Sequence, residues 1–199
     1  TRNLLGEVKM PNWGQNVMFV THQDKDKLQK IIDEAKKGEL FQYLIPEKRD
    51  CKNNPIEGWY DWRCNHWGTK WDIRPISLEE ENHDEQGIFS FDDFFNEDDV
   101  DRFFKFYCES SNAKEKEQKI YIFKFDTAWS PPIPVYKKMF EMGFKFQAFF
   151  VEYGVEYEGS FINGKEYQGS FPNPRNSKDE YISNFYTTAR NEWLNNEYA

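Results

Sequence analysis

No run approaches the 18 or so consecutive apolar residues that a helical membrane span needs, so no membrane partner is expected. The opening TRNLLGEVK lacks the apolar core of a secretory signal. Cysteine is scarce: Cys51, Cys64 and Cys108 cannot all pair within the chain and lack the density of a disulfide framework. These absences predict a soluble, cytoplasmic protein, kept reduced. Walker loop, GxGxxG, HExxH and EF-hand patterns are missing, and so are the CxxC pairs of structural zinc sites. Cofactors: none are expected, and no metal. The nearest approach to a metal set is Cys64-Asn65-His66 with Cys51 or His83; its plainer reading is a buried thiol beside a hydrogen-bonded imidazole.

Positive charge is absent from one long stretch. Between Glu79 and Asp101 stand eleven carboxylates (Glu79, Glu80, Glu81, Asp84, Glu85, Asp92, Asp93, Glu97, Asp98, Asp99, Asp101) with no Lys or Arg among them. The other 24 of the 35 acids face 26 bases, so this one segment sets the net charge of -9. Nonspecific nucleic-acid binding rests on Lys and Arg displacing counterions, so no direct nucleic-acid binding is expected. A basic partner, or solubility alone, fits the balance better.

Aliphatic residues are few, yet Phe, Tyr and Trp make up 19% of the 199 residues. Each buried ring removes roughly 150 to 250 Å² from water, so aromatics must carry one core. Asn16 to Thr21 reads as a strand, and Leu28, Ile31, Ile32 and Ala35 mark an amphipathic helix stopped by Gly38. Phe41 to Pro55 suggests a strand or extended piece entering a loop. Residues 75 to 118 read as an insertion holding a helix capped by Asn96, with Val100, Phe103, Phe104 and Tyr107 on one stripe. Lys119 to Asp126 and Phe144 to Tyr153 are strands flanking a short helix, about Pro134 to Met142. Asn163-Gly164 supplies a tight hairpin. Ser177 and Glu180 form the capping box of a last helix. The first six core elements approximate β-α-β-β-α-β, which predicts an α+β ferredoxin-like plait.

Met10-Pro11-Asn12-Trp13 with Asn16, then Leu44-Ile45-Pro46, Trp59-Tyr60-Asp61-Trp62, Trp67-Gly68-Thr69-Lys70-Trp71-Asp72, Phe125-Asp126-Thr127-Ala128-Trp129-Ser130-Pro131-Pro132 and Tyr153-Gly154 resemble the YubB ferredoxin-like domain family. The resemblance implies a plait over residues 10 to 171 that includes the acidic insertion 75 to 118, followed by a helical extension over 172 to 199. It also implies a phage or plasmid origin among genes that counter host defences. It brings no chemistry with it. His66 stands where Asn is common in the family, and the acidic insertion and final helix are additions to its pattern.

The stretch GWYDWRCNHWGTKWD (58 to 72) holds four of the seven tryptophans. Exposing all four indoles would forgo on the order of 15 to 25 kcal/mol of gross apolar burial, so most are expected inside, with Asp61, Lys70 and Asp72 meeting indole N–H groups or each other. Trp129 is expected to pack on this cluster. An alternative makes Trp59, Tyr60, Trp62, Trp67 and Asp72 a platform for a small ligand, carbohydrate or nucleotide. Catalysis by Asp61, His66 or Asp72 is a further alternative, but nothing marks an oxyanion hole. The RNA-binding signature fails: FQAFFVEY keeps only Phe150, Val151 and Tyr153 of it, on the wrong strand. The leading expectation is therefore a non-enzymatic protein that binds a basic site on a host protein, by imitation of DNA's charge among other means. The contact residues would be Glu79, Glu80, Glu81, Asp92, Asp93, Phe94, Phe95, Asp98, Asp99 and Asp101, because acid interleaved with apolar rings gives adhesion as well as charge.

Overall fold

The computed structural model describes residues 12–52, 54–56, 58–75, 87–90, 119–152, 157–162 and 164–168. Its elements run β1 (Trp13–Thr21), α1 (Lys25–Lys37), α2 (Leu40–Leu44), α3 (Trp59–His66), β2 (Gly87–Ser90), β3 (Tyr121–Ala128), α4 (Ile133–Glu141), β4 (Lys145–Glu152), β5 (Tyr157–Ile162) and β6 (Lys165–Gln168). The strands form one sheet in the order β2-β3-β1-β4-β5-β6, and every pairing is antiparallel. The class is α+β.

Local chemistry sets the elements that the sequence announces. Asp24 accepts hydrogen bonds from the N–H groups of Asp26 and Lys27 at 3.0 and 3.2 Å, which caps α1. Gly38 ends the helix at φ 74° and donates its N–H to the Ala35 carbonyl at 3.0 Å. Leu28, Ile31, Ile32 and Ala35 are buried, as their spacing requires. Glu34 is buried beside them, and Lys30 and Lys37 hold its pKa below the usual carboxylate value through hydrogen bonds.

Side chains alternate across the sheet, so its two faces are distinct. On one face Met18, Val20, Phe123, Phe125, Phe146, Ala148, Phe150 and Phe161 join α1, α2 and α4 in a single cluster that includes Ile31, Phe41 and Tyr136. Val17, Phe19, Ile122, Phe149 and Val151 lie on the other face, also buried, and belong to no part of that cluster. Inside the first face sits a polar hub. Asn16 donates from Nδ2 to the Gly14 carbonyl and to Thr127 Oγ1, both at 2.9 Å, while its Oδ1 accepts from the Tyr136 hydroxyl at 2.9 Å. This ties α4 to β1 and β3 with each buried group satisfied.

Two expectations are corrected. The line from Phe41 holds no strand: residues 40 to 44 form α2, followed by a loop with a single bridge between Arg49 and Pro55. The strand that enters the sheet before β3 is instead β2, which lies within the 75 to 118 stretch read as an insertion and pairs with β3 from Gly87↔Lys124 to Ser90↔Tyr121. The expected acidic helix after Asn96 and the final helix lie outside the described residues.

Candidate binding face

Segments far apart in sequence meet at one end of the sheet, where β1 begins, β3 ends and α4 starts. Gly68, at φ 81°, turns the chain after α3 against the proline pair: an added Cβ would stand 2.8 Å from Pro134 Cδ and 3.1 Å from the Pro131 carbonyl oxygen. Only glycine fits both the conformation and the space. Thr69 Oγ1 then donates to the Ala128 carbonyl at 3.0 Å, and the Ser130 hydroxyl donates to the Gly68 carbonyl. The Trp129 N–H reaches the Asn12 carbonyl at 2.9 Å. Three motifs spread over more than a hundred positions are thereby stitched together.

The stretch from Trp59 to Asp72 has an inner half and an outer half. Its first eight residues form α3, which the sequence reading left without secondary structure. Trp67, at 0% exposure, belongs to the core and donates its indole N–H to the Ile45 carbonyl at 2.9 Å. Trp62 packs against the same cluster and stacks on His66, with centroids 4.3 Å apart and planes 8° from parallel. His66 Nδ1 also lies 2.8 Å from the Trp62 carbonyl oxygen. Arg63 forms a two-point pair with the buried Glu47 at 3.1 and 2.7 Å, and its guanidinium lies 5.0 and 4.9 Å from the Trp59 and Trp67 rings. This cation is fixed on both its charge and its flat faces.

Asp72 belongs to the inner half too. One carboxylate oxygen accepts from the N–H groups of Phe41 and Ile73 at 2.9 and 2.8 Å, and the other accepts from Gln42 at 2.8 Å. It is the cap of α2, supplied from thirty residues away. Burial pushes its pKa up to about 6, against the opposing pull of these three N–H groups and of Arg63.

The outer half is a row of rings and cations. Trp13 stacks on Trp71 with centroids 5.8 Å apart and planes 30° from parallel. The Lys70 ammonium stands 4.2 Å from the Trp71 ring centroid, 5.4 Å from Trp129 and 5.6 Å from Tyr60. Arg74 lies 4.8 Å from the Trp13 ring. Tyr60 meets Trp129 edge to face at 6.4 Å and Trp59 at 5.9 Å. Solvent reaches this row: Tyr60 is 41% and Trp129 37% exposed. Trp129 is also the one non-glycine residue among those described with a positive φ, 67°. A bulky side chain in that region is strained by about 1 to 3 kcal/mol and is kept there by its surroundings.

The structure thus sorts the residues that the sequence singled out. Trp67 and Asp72 make their contacts inside the fold, Trp62 is half-buried against the core, Tyr60 belongs to the open row and Trp59 borders it. Asp61, Lys70 and Asp72 were expected to meet indole N–H groups or one another; instead the Trp67 indole N–H goes to a backbone carbonyl, Asp72 accepts from backbone, and Lys70 lies over ring faces. Trp129 does reach the cluster, through Tyr60. Sequence reasoning missed the union of Trp13, Lys70, Trp71, Arg74 and Trp129, although each stands in or beside one of the quoted motifs. Among the described residues no three His, Cys, Asp or Glu side chains gather as a metal set, and no helix is long and apolar enough to cross a membrane. Glu79, Glu80, Glu81, Asp92, Asp93, Phe94, Phe95, Asp98, Asp99 and Asp101 lie outside the described residues.

No family, no curated protein and no solved structure matches this chain.

Proposed function

We propose that this is a non-enzymatic protein of phage or plasmid origin that binds and modulates a host protein through its acidic, aromatic-interleaved segment, residues 79 to 107, together with the final helix. Its scaffold is read as a ferredoxin-like plait. The strand order β4-β1-β3-β2, with α1 between β1 and β2 and α4 between β3 and β4, supports that reading. The resemblance to YubB-like domains supplies the mobile-element setting.

One observation carries the functional part. Strand β2 lies within the carboxylate run in sequence and pairs with β3 at one end of the sheet, so Gly87–Ser90 tie this part of the chain to the sheet edge. Glu85 precedes the strand by two residues and Asp92 follows it by two. Anchored negative charge steers a basic partner and fixes its register, as phosphates on a duplex do.

Capture from host lysate with the intact chain and with a variant carrying Asp92→Asn, Asp93→Asn, Asp98→Asn and Asp99→Asn tests this. The expected result is a salt-sensitive partner that the intact chain retains and the variant loses. An identical set of captured proteins for both chains would overturn the reading.

A further inference from the structure

We infer that the outer row of Trp13, Tyr60, Lys70, Trp71, Arg74 and Trp129 is a binding site for a nucleotide-sized ligand, a flat heteroaromatic base carrying phosphate.

Three observations converge on this face. Lys70 and Arg74 are the first. Neither forms an ion pair with a carboxylate among the described residues, and both stand over indole faces, Lys70 at 4.2 Å from Trp71 and Arg74 at 4.8 Å from Trp13. An ammonium held at 4.2 Å from a ring still has three N–H donors, so Lys70 can give hydrogen bonds to phosphate oxygens without leaving Trp71.

The rings are the second. Trp129 and Tyr60 are partly open to solvent and their ring centroids lie 5.4 and 5.6 Å from the Lys70 ammonium, so a base that stacks on either ring has a cation within reach of its phosphate. A neutral sugar would use the rings but has no need of two cations beside them. The third is the backbone of Trp129. A strained, solvent-reached tryptophan whose flanking atoms are pinned to Asn12 and Gly68 is held for its position, and strain of this kind gathers at ligand clamps. Charge sets the size of the ligand. The negative field of the whole molecule repels a polyanion more strongly than a ligand with one or two phosphate charges, so a mononucleotide fits better than a long single strand.

The other openings carry less. A groove of about 380 Å³ between α2 and α4 is lined by Leu44, Ile45, Pro46 and Pro134 and by the charged Lys137, Lys138 and Glu141, with no aromatic ring on which a base could stack.

The test is a titration of the full chain with adenosine, guanosine, cytidine and uridine monophosphates, read by indole N–H resonances and by calorimetry. Wild type, Lys70→Gln and Trp129→Gly are compared, together with their urea midpoints. Saturable binding of at least one monophosphate is expected, with shifts confined to Trp13, Trp71 and Trp129. Lys70→Gln should weaken it about tenfold with a near-normal midpoint, and Trp129→Gly by at least as much with a midpoint only modestly lowered. Absence of saturation up to about 10 mM would overturn the inference. So would binding of neutral sugars that is indifferent to Lys70→Gln, or oligonucleotide binding that is far tighter than any monophosphate and steeply salt-dependent.

Discussion

Trp67 and Trp129 are both tryptophans of the motif cluster at the same end of the sheet, and they solve opposite problems. Trp67 is sealed, with its N–H given to Ile45 and its faces covered by Phe41, Trp62 and Arg63. Trp129 reaches solvent on a backbone that an L-residue adopts only under constraint. The difference teaches where aromatic content stops being scaffold. Rings on the inner side of the Thr69 to Ala128 bond hold the fold, whereas rings on the outer side are displayed by it.

The sharpest way to break this contrast is to delete the inner ring. Trp67→Ala removes a fully buried indole, orphans the Ile45 carbonyl and strips one face from Arg63, which should cost about 3 to 5 kcal/mol. Urea unfolding should show the midpoint falling accordingly. A loss below about 1 kcal/mol would mean that the inner half is not the structural one.

Next comes the buried pair behind it. Glu47→Ala leaves the Arg63 guanidinium, 12% exposed, without its two-point acceptor. Uncompensated charge at that depth costs about 3 kcal/mol, less than for full burial because some solvent reaches it. Glu47→Ala with Arg63→Met should recover part of this loss, since both charges then disappear together. No recovery in the double variant would show that the loss comes from the packing of the Glu47 side chain and not from the orphaned guanidinium, since the Gln42 side chain keeps its two bonds to the backbone of residue 47 in either variant.

Much of this architecture was legible wherever one short segment decides its own shape. Leu28 to Gly38 announces α1 with its stop, and the Asn163-Gly164 step announces the β5 to β6 turn. What could not be read is non-local. The line from Leu40 becomes a helix because Asp72 caps it from thirty residues on, a contact with no trace in residues 40 to 44 themselves. Strand β2 hides among eleven carboxylates because pairing with β3, and not local propensity, makes it a strand. The magnitude of indole burial predicts most of the four tryptophans inside, yet only Trp67 is buried, and Trp59, Trp62 and Trp71 are half-buried. The outer row was not legible, since Trp13, Trp71 and Trp129 become neighbours only after β1, β3 and the Gly68 turn are assembled.

Asp72 gives the inner half a pH signature of its own. Its pKa is pushed up to about 6 by burial, from an ordinary value of 3.8. Between those values the folded chain holds the proton more than the unfolded chain does, so this group's contribution to stability grows as pH falls from about 7 to about 4. The full effect is no more than about 3 kcal/mol. Asp72→Asn cannot titrate, so the stability difference between wild type and variant should move toward wild type over that window. Glu34, whose pKa is lowered, works the other way in both chains and cancels in the difference. A flat difference would mean that the three N–H groups and Arg63 keep the carboxylate ionised as in water.

The smallest effect is the most informative, because it deletes the same side chain on the outer side. Removing the Trp129 ring loses packing that is already a third open to solvent, a gross loss of about 2 to 4 kcal/mol as an upper bound. Glycine at that position relieves the left-handed strain of about 1 to 3 kcal/mol and adds back about 0.5 to 1 kcal/mol of unfolded-state entropy. Trp129→Gly should therefore lie about 1 to 2 kcal/mol below wild type, while Trp129→Ala, which loses the ring but keeps a Cβ at φ 67°, should be less stable than Trp129→Gly by about 1 kcal/mol. Alanine matching or exceeding glycine in urea unfolding would mean that the backbone relaxes once the ring is gone. The strain would then be a consequence of the ring's own packing, and Trp129 would belong with Trp67 on the structural side.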